Sequence, residues 1–202
     1  LTQVTRHLCA RLGVAVNLLP MSDTPIRPVI DSGDGTLAFQ DYFVRRRAEP
    51  VVNGIRYEGA TKAPPIAALA SLLTDPGLAA IFIAPSNPWL SIDPILAIPS
   101  LAAALRSTTA PVIAISPIVG GRALKGPTAK IMGELGVPVS AGAIAAHYGD
   151  LLDGFILDDA DRTEADALIA DGLAVGATHT VMSTLEDRIH LAEFALGFAA
   201  PR

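Results

Sequence analysis

The stretch Ser116-Pro-Ile-Val-Gly-Gly-Arg-Ala-Leu-Lys-Gly-Pro127 holds residue types suited to gripping a phosphate. Gly120 and Gly121 allow backbone N–H groups to turn inward with no Cβ in the way, and Lys125 adds a mobile positive charge. Pro127 suits the first position of a helix running to about Glu134, whose N-terminal amides favour an anion. The same residues also describe an ordinary strand-to-helix loop with a solvated lysine, and the spacing is not that of a Walker loop. A second loop, Pro85-Ser-Asn-Pro88, offers a hydroxyl and an amide; with Ser116 it brings three side chains able to hydrogen-bond the base, sugar or phosphates of a nucleotide. A turn followed by a helix cap accounts for Ser86 and Asn87 as well.

Such residues need elements to hold them. The chain alternates apolar strand-like runs with amphipathic ones, the pattern of a parallel sheet covered by helices. The spacing predicts a first helix with Val4, Leu8 and Leu12 on one face, closed by Gly13, and a strand over 14–19. A hairpin follows, turning at Asp31-Ser-Gly-Asp-Gly35. Strands are predicted over 79–84, 111–115, 154–158 and 178–182, with helices over 65–73, 93–106 (broken near Pro99), 127–134 and 164–170. The last helix is expected to start on a Thr184/Asp187 capping pair and to bury Leu185, Ile189, Ala192 and Leu196. The expected fold is therefore α/β: a three-layer, Rossmann-like, mostly parallel sheet with helices on both faces, in one domain over residues 1–202 with a hairpin and aromatic insertion near 25–60. Ligands of such sheets collect at the carboxyl ends of the strands, where Ser86, Asn87 and the 116–121 loop (Ser116, Pro117, Ile118, Val119, Gly120, Gly121) lie.

Composition removes several function classes. With 202 residues, 50% hydrophobic and 17% charged, the chain can fill a full core. A net charge of −5 and a pI near 5.3 argue against a nucleic-acid or anionic-membrane binder. The basic run Arg45-Arg-Arg47 reads as a solvated face or as a contact for the acidic part of a substrate. The lone Cys9 excludes an internal disulfide and the four histidines lack zinc-ligand spacing, which fits a cytoplasmic location. No apolar run reaches the roughly 18 residues of a membrane span, and no signal peptide is visible. The chain begins without methionine, and its natural N-terminus is expected upstream.

Taken together, Pro85-Ser-Asn-Pro88, Ser91-Ile-Asp-Pro-Ile-Leu96, Ser116–Gly121, Lys125-Gly-Pro127 and Gly154-Phe-Ile-Leu-Asp158 resemble the 2-phospho-L-lactate transferase (CofD) family of coenzyme F420 biosynthesis, as do the segments 39–47 and 182–188. The resemblance spans nearly the whole chain, except that the family's first strand, Gly-rich loop and upstream acidic residues have no counterpart before Leu1. It implies transfer of a phospholactyl-type group (2-phospho-L-lactate, phosphoenolpyruvate or phosphoglycerate) from a GDP-activated donor to the deazaflavin Fo, with release of GMP. It further implies magnesium, with ligands unassigned, and a homodimer. On this reading Ser86, Asn87 and residues 116–121 bind the nucleotide and Lys125 stabilises phosphate charge in catalysis. Gln40 and Tyr42 are the candidates to meet Fo, while Phe39 and Phe43, four apart, read as core. A more distant resemblance, to CofD-like regulators of gluconeogenesis, keeps a nucleotide-sugar-binding regulator open. Outside the main assignment, His147 could relay a proton or satisfy a carbonyl. Asp158, Asp159 and Asp161 could hold magnesium or cap a turn, and Trp89 could pack in the core or at a subunit contact.

Overall fold

The structure is a computed structural model and describes residues 1–200. Its centre is a four-stranded, wholly parallel sheet of β4 (Ile81–Ile83), β5 (Val112–Ile115), β8 (Gly154–Asp158) and β9 (Ala174–Thr178), in spatial order β4-β5-β8-β9. Beside it stands an antiparallel meander, β2-β1-β3, made of β1 (Arg27–Ser32), β2 (Gly35–Ala38) and β3 (Val52–Glu58). A two-stranded ribbon, β6 (Ile118–Val119) with β7 (Arg122–Ala123), leaves the end of β5.

Alternation along β5 and β8 decides which layer each side chain joins. Val112, Ala114, Phe155 and Leu157 face one way, into a core with Ile131 and Met132 of α5 (Thr128–Glu134) and Ile144 of α6 (Ala141–Tyr148). Ile113, Ile115 and Ile156 face the other way, against Leu191 and Ala195 of α8 (Leu185–Ala199). Strands buried on both faces are continuous apolar runs for this reason, and each large aliphatic side chain so enclosed contributes about 1.5–3 kcal/mol. The remaining helices are α1 (Thr2–Leu12), α2 (Ala67–Leu73), α3 (Asp93–Leu96), α4 (Pro99–Ser107) and α7 (Ala165–Ala170).

The α/β class and the hairpin agree with the sequence reading; four elements do not. Residues 14–19 form no strand, and Val16 and Leu18 are exposed, as are Val4, Leu8 and Leu12 of α1. The last strand runs over 174–178 rather than 178–182, which leaves Thr180–Ser183 as loop. Helix α6, built largely of alanine and capped by Ser140, was not foreseen. In α8 the capping box of Thr184 and Asp187 is present, but Leu185, Ile189, Ala192 and Leu196 form its exposed side. The buried side instead carries Leu191, Phe194, Ala195 and Phe198, because Gly154 and Gly176 leave holes for the rings. A Cβ on Gly154 would meet Phe198 at 2.7 Å, and one on Gly176 would meet Phe194 at 2.9 Å. No single helix among the described residues is long and apolar enough to cross a membrane, and the stretch 88–107 bends by 86° before Pro99.

Candidate functional site

A cavity of about 800 Å³ opens beyond the carboxyl ends of β4, β5 and β9. The turn after β4 gives it Ser86, Asn87, Leu90 and Ser91; the segment after β5 gives Ser116, Pro117, Val119 and residues 124–128; the loop after β9 gives Thr180–Ser183 and Arg188. Phe39 and Phe43, following β2, close another side. Two cations, Lys125 and Arg188, stand on this wall, and among the described residues no carboxylate does. In a chain with 20 acidic and 15 basic residues, that asymmetry favours an anionic occupant.

The glycine-rich loop divides into two parts. Gly120 and Gly121, at φ 57° and 69°, form the two-residue turn of the β6–β7 ribbon, a left-handed geometry that glycine adopts without steric cost. The Gly120 amide donates to Asp161 Oδ2 at 2.9 Å, and the neighbouring Gly121 amide also favours that carboxylate's ionised form. Ile118 is wholly buried, its amide donating to Ser116 Oγ at 3.1 Å, while the Ser116 hydroxyl donates to the Ile118 carbonyl at 3.0 Å. Ile118, Gly120 and Gly121, expected in a phosphate grip, do not line the cavity, and the Ile118 and Gly120 amides are already paired within the protein. Pro117, Val119 and Lys125 do line it. Helix α5 begins at Thr128, with Pro127 as its N-cap.

Asn87 caps the next element: its Oδ1 accepts from the Leu90 amide at 3.0 Å, starting a π-helical turn over Pro88–Ile92. Its Nδ2 is enclosed and has no partner among the described residues. A buried clasp holds this turn from behind. Tyr57 donates from its hydroxyl to the Trp89 carbonyl at 2.7 Å and lies 3.2 Å from Asp93, whose other oxygen is 2.9 Å from His147 Nε2. Burial, with Asp93 beside it, pushes the Tyr57 hydroxyl far above the usual tyrosine range. Trp89 is buried 4.8 Å from the His147 ring, which settles its place in the core.

In the segment after β2 the aromatic roles exchange. Tyr42 is fully buried, with Lys130 Nζ 5.9 Å from its ring centre, and burial, with Glu134 nearby, pushes its hydroxyl to about 12. It has no face to offer a ligand. Gln40 is exposed but away from the cavity wall. Phe39 and Phe43 reach the cavity, stacked at 5.4 Å with an 18° interplanar angle. A π-helical turn at Asp41–Arg45 holds this segment, with Tyr42 as its buried residue. Arg45 and Arg46 pair with Asp41, and Arg46 also with Asp34.

The carboxylates after β8 act on neighbouring loops. Asp158 accepts from the Thr180 amide at 2.7 Å, the Thr180 hydroxyl at 3.0 Å and the Ala160 amide at 3.0 Å. Burial opposes its ionisation, but these bonds outweigh it and hold Asp158 below the usual carboxylate range. At Asp161 burial prevails over the two glycine amides, and the carboxyl titrates above that range. With those oxygens engaged, and no group of three or more histidine, cysteine or acidic residues suited to a metal among the described residues, the side chains present do not fit a magnesium site. The sequence reading weighed Asp161 only as a magnesium ligand or turn cap, and gave Thr180 and Arg188 no role of their own. Only Arg188 had a local signal, one position beyond the capping pair.

A family model described as 2-phospho-L-lactate transferase CofD matches residues 1–183. The chain belongs to the CofD family. A 2-phospho-L-lactate transferase of Methanosarcina mazei is 34% identical over 199 residues, covering 97% of this chain and 63% of that protein. A phosphoenolpyruvate transferase of Kitasatospora aureofaciens is 37% identical over 204 residues, covering 98% and 63% respectively. This CofD chain thus spans somewhat under two thirds of the length of these relatives. Among solved structures, a Bacillus halodurans member of the upf0052 family superposes with a TM-score of 0.63 at 17% identity, over 95% of this chain and 65% of the other, a likeness of fold alone.

Proposed function

We propose that this CofD chain carries the nucleotide side, and part of the acceptor side, of a transferase that moves a phospholactyl-type group from a GDP-activated three-carbon acid to the deazaflavin Fo in coenzyme F420 biosynthesis. The observation that carries the proposal is the cavity itself, with two cations and no carboxylate among its described lining and a stacked phenylalanine pair at one side. The relatives called 2-phospho-L-lactate transferase and phosphoenolpyruvate transferase support the same class of donor.

In the proposed step an Fo ribityl oxygen bonds to the phosphorus that carries the acid. The bond from that phosphorus to the bridging oxygen breaks, GMP departs with the electron pair, and the hydroxyl proton passes to solvent or a base. Phosphoryl transfer of this kind depends on in-line positioning and on neutralising spread charge. Lys125 serves the second need. Ser86 and Asn87 take the nucleotide, and Phe39 and Phe43 stack on the flat acceptor in place of Tyr42.

Calorimetric titration of the full-length protein with GDP and with Fo, followed by an assay for GMP release from the activated donor, tests the proposal. Binding of both ligands with Fo-dependent GMP release is the expected result. GDP binding with neither Fo binding nor GMP release would overturn it in favour of a nucleotide-binding regulator.

A further inference from the structure

We propose that Arg188 is an oxyanion-binding residue of the cavity, acting with Lys125 so that the site takes a ligand bearing at least two anionic groups. The ligand's identity as the donor's diphosphate or carboxylate rests on the transferase reading; the anion site does not. Arg188 and Lys125 reach the same cavity from separate parts of the chain, the first turn of α8 and the segment after β7. Neither has an ion-pair partner among the described residues; Arg6, Arg11, Arg27, Arg47, Arg122 and Lys62 also lack one, but none of those six lines the cavity.

Asp187, the carboxylate next to Arg188 in sequence, makes no ion pair with it. Asp187 Oδ2 accepts from the Ser183 and Thr184 amides at 2.9 and 2.7 Å, and these bonds hold it below the usual carboxylate range. The capping box fixes the start of α8, and the bonds from Thr180 to Asp158 fix the loop leading into it, so the stem of Arg188 rises from an anchored base. A guanidinium presents planar paired donors that match a phosphate or carboxylate edge, which an ammonium cannot reproduce.

The test uses the full-length protein, titrated with inorganic pyrophosphate, GDP and Fo, as wild type, Arg188→Gln and Arg188→Lys, with thermal melting of each. Arg188→Gln is expected to weaken pyrophosphate and GDP roughly tenfold or more, with melting and Fo affinity unchanged, and Arg188→Lys to recover only part of the loss. Unchanged pyrophosphate and GDP affinities in Arg188→Gln overturn the assignment and leave the transferase reading standing. Pyrophosphate binding that depends on Arg188, in a protein that binds no GDP, supports the anion site and sinks the guanine-nucleotide reading instead. Binding of neither anion by the wild type overturns both.

Discussion

The Gly120-Gly121 turn and the Lys125–Pro127 segment lie a few residues apart in one loop, yet they do different work. The turn has the composition of a phosphate grip, but its Gly120 amide closes on Asp161, a carboxylate of the protein itself. The lysine segment lies on the cavity wall with no internal partner for its charge among the described residues. A loop of this kind binds an anion only with donors that the fold has left free, and the turn's Gly120 amide is committed to holding the ribbon that carries Lys125. Tyr42 and Phe43 repeat the contrast, one holding the wall from within and the other forming part of its surface.

That second pair gives the largest expected effect. Tyr42→Ala removes a fully buried ring and is expected to cost about 3–5 kcal/mol in denaturant unfolding, as large-to-small core substitutions do. Phe43→Ala, at a side chain 40% exposed, is expected to leave stability within about 1 kcal/mol while weakening Fo several-fold. Reversed outcomes, with a stable Tyr42→Ala that has lost Fo and an unstable Phe43→Ala, would break the division between holding and forming the wall.

Asp161 comes next. Asp161→Ala leaves the Gly120 amide without its acceptor and should cost about 1–3 kcal/mol, whereas Asp161→Asn keeps one acceptor oxygen and should restore much of it at neutral pH. The pH dependence sharpens the comparison with Asp158. Because Asp161 titrates high in the folded protein, its stabilising contribution is full below the unfolded carboxylate value and is lost as pH rises through the folded one. Asp158 titrates low, so its contribution is present above the unfolded value and is lost as pH falls through the folded one. Urea unfolding between about pH 3 and pH 7 should therefore find Asp158→Asn weakened most at neutral pH and Asp161→Asn weakened most in acid. Parallel profiles for the two variants would contradict these assignments.

How much of this could be read from the sequence depends on what each residue's neighbours decide. The strands at 112–115 and 154–158 were legible because burial on both faces leaves a continuous apolar run. Strand β9 was placed four residues late because its sequence, Ala174-Val-Gly-Ala-Thr178, is kept small by the rings of Phe194 and Phe198, and small residues carry little strand signal. Helix α8 has two apolar stripes of valid spacing, and the glycine holes in β8 and β9, distant in sequence, select the one with phenylalanines. The strand-end rule pointed to loops that border the cavity, and of the residues it named Ser86, Asn87, Ser116, Pro117, Val119 and Lys125 line it. Which polar groups remained free was not legible, since Asp161 occupies the Gly120 amide from 41 positions away.

The smallest expected change in stability belongs to Lys125, where the comparison can be isolated. Lys125 is exposed and makes no hydrogen bond to a side chain or ion pair among the described residues, so Lys125→Ala should leave unfolding within about 0.5 kcal/mol of wild type. GDP affinity should nevertheless fall about tenfold, because the charge faces the cavity rather than the fold. Combining it with Asp161→Ala separates the two parts of the loop. If Asp161 acts on the ligand only by holding the ribbon, then once Lys125 is gone, removing Asp161 should cost the same stability and add little to the loss of affinity. Fully additive losses of affinity would mean that Asp161 influences the anion by a route other than Lys125, and the Gly120-Gly121 turn would then belong to the binding surface after all.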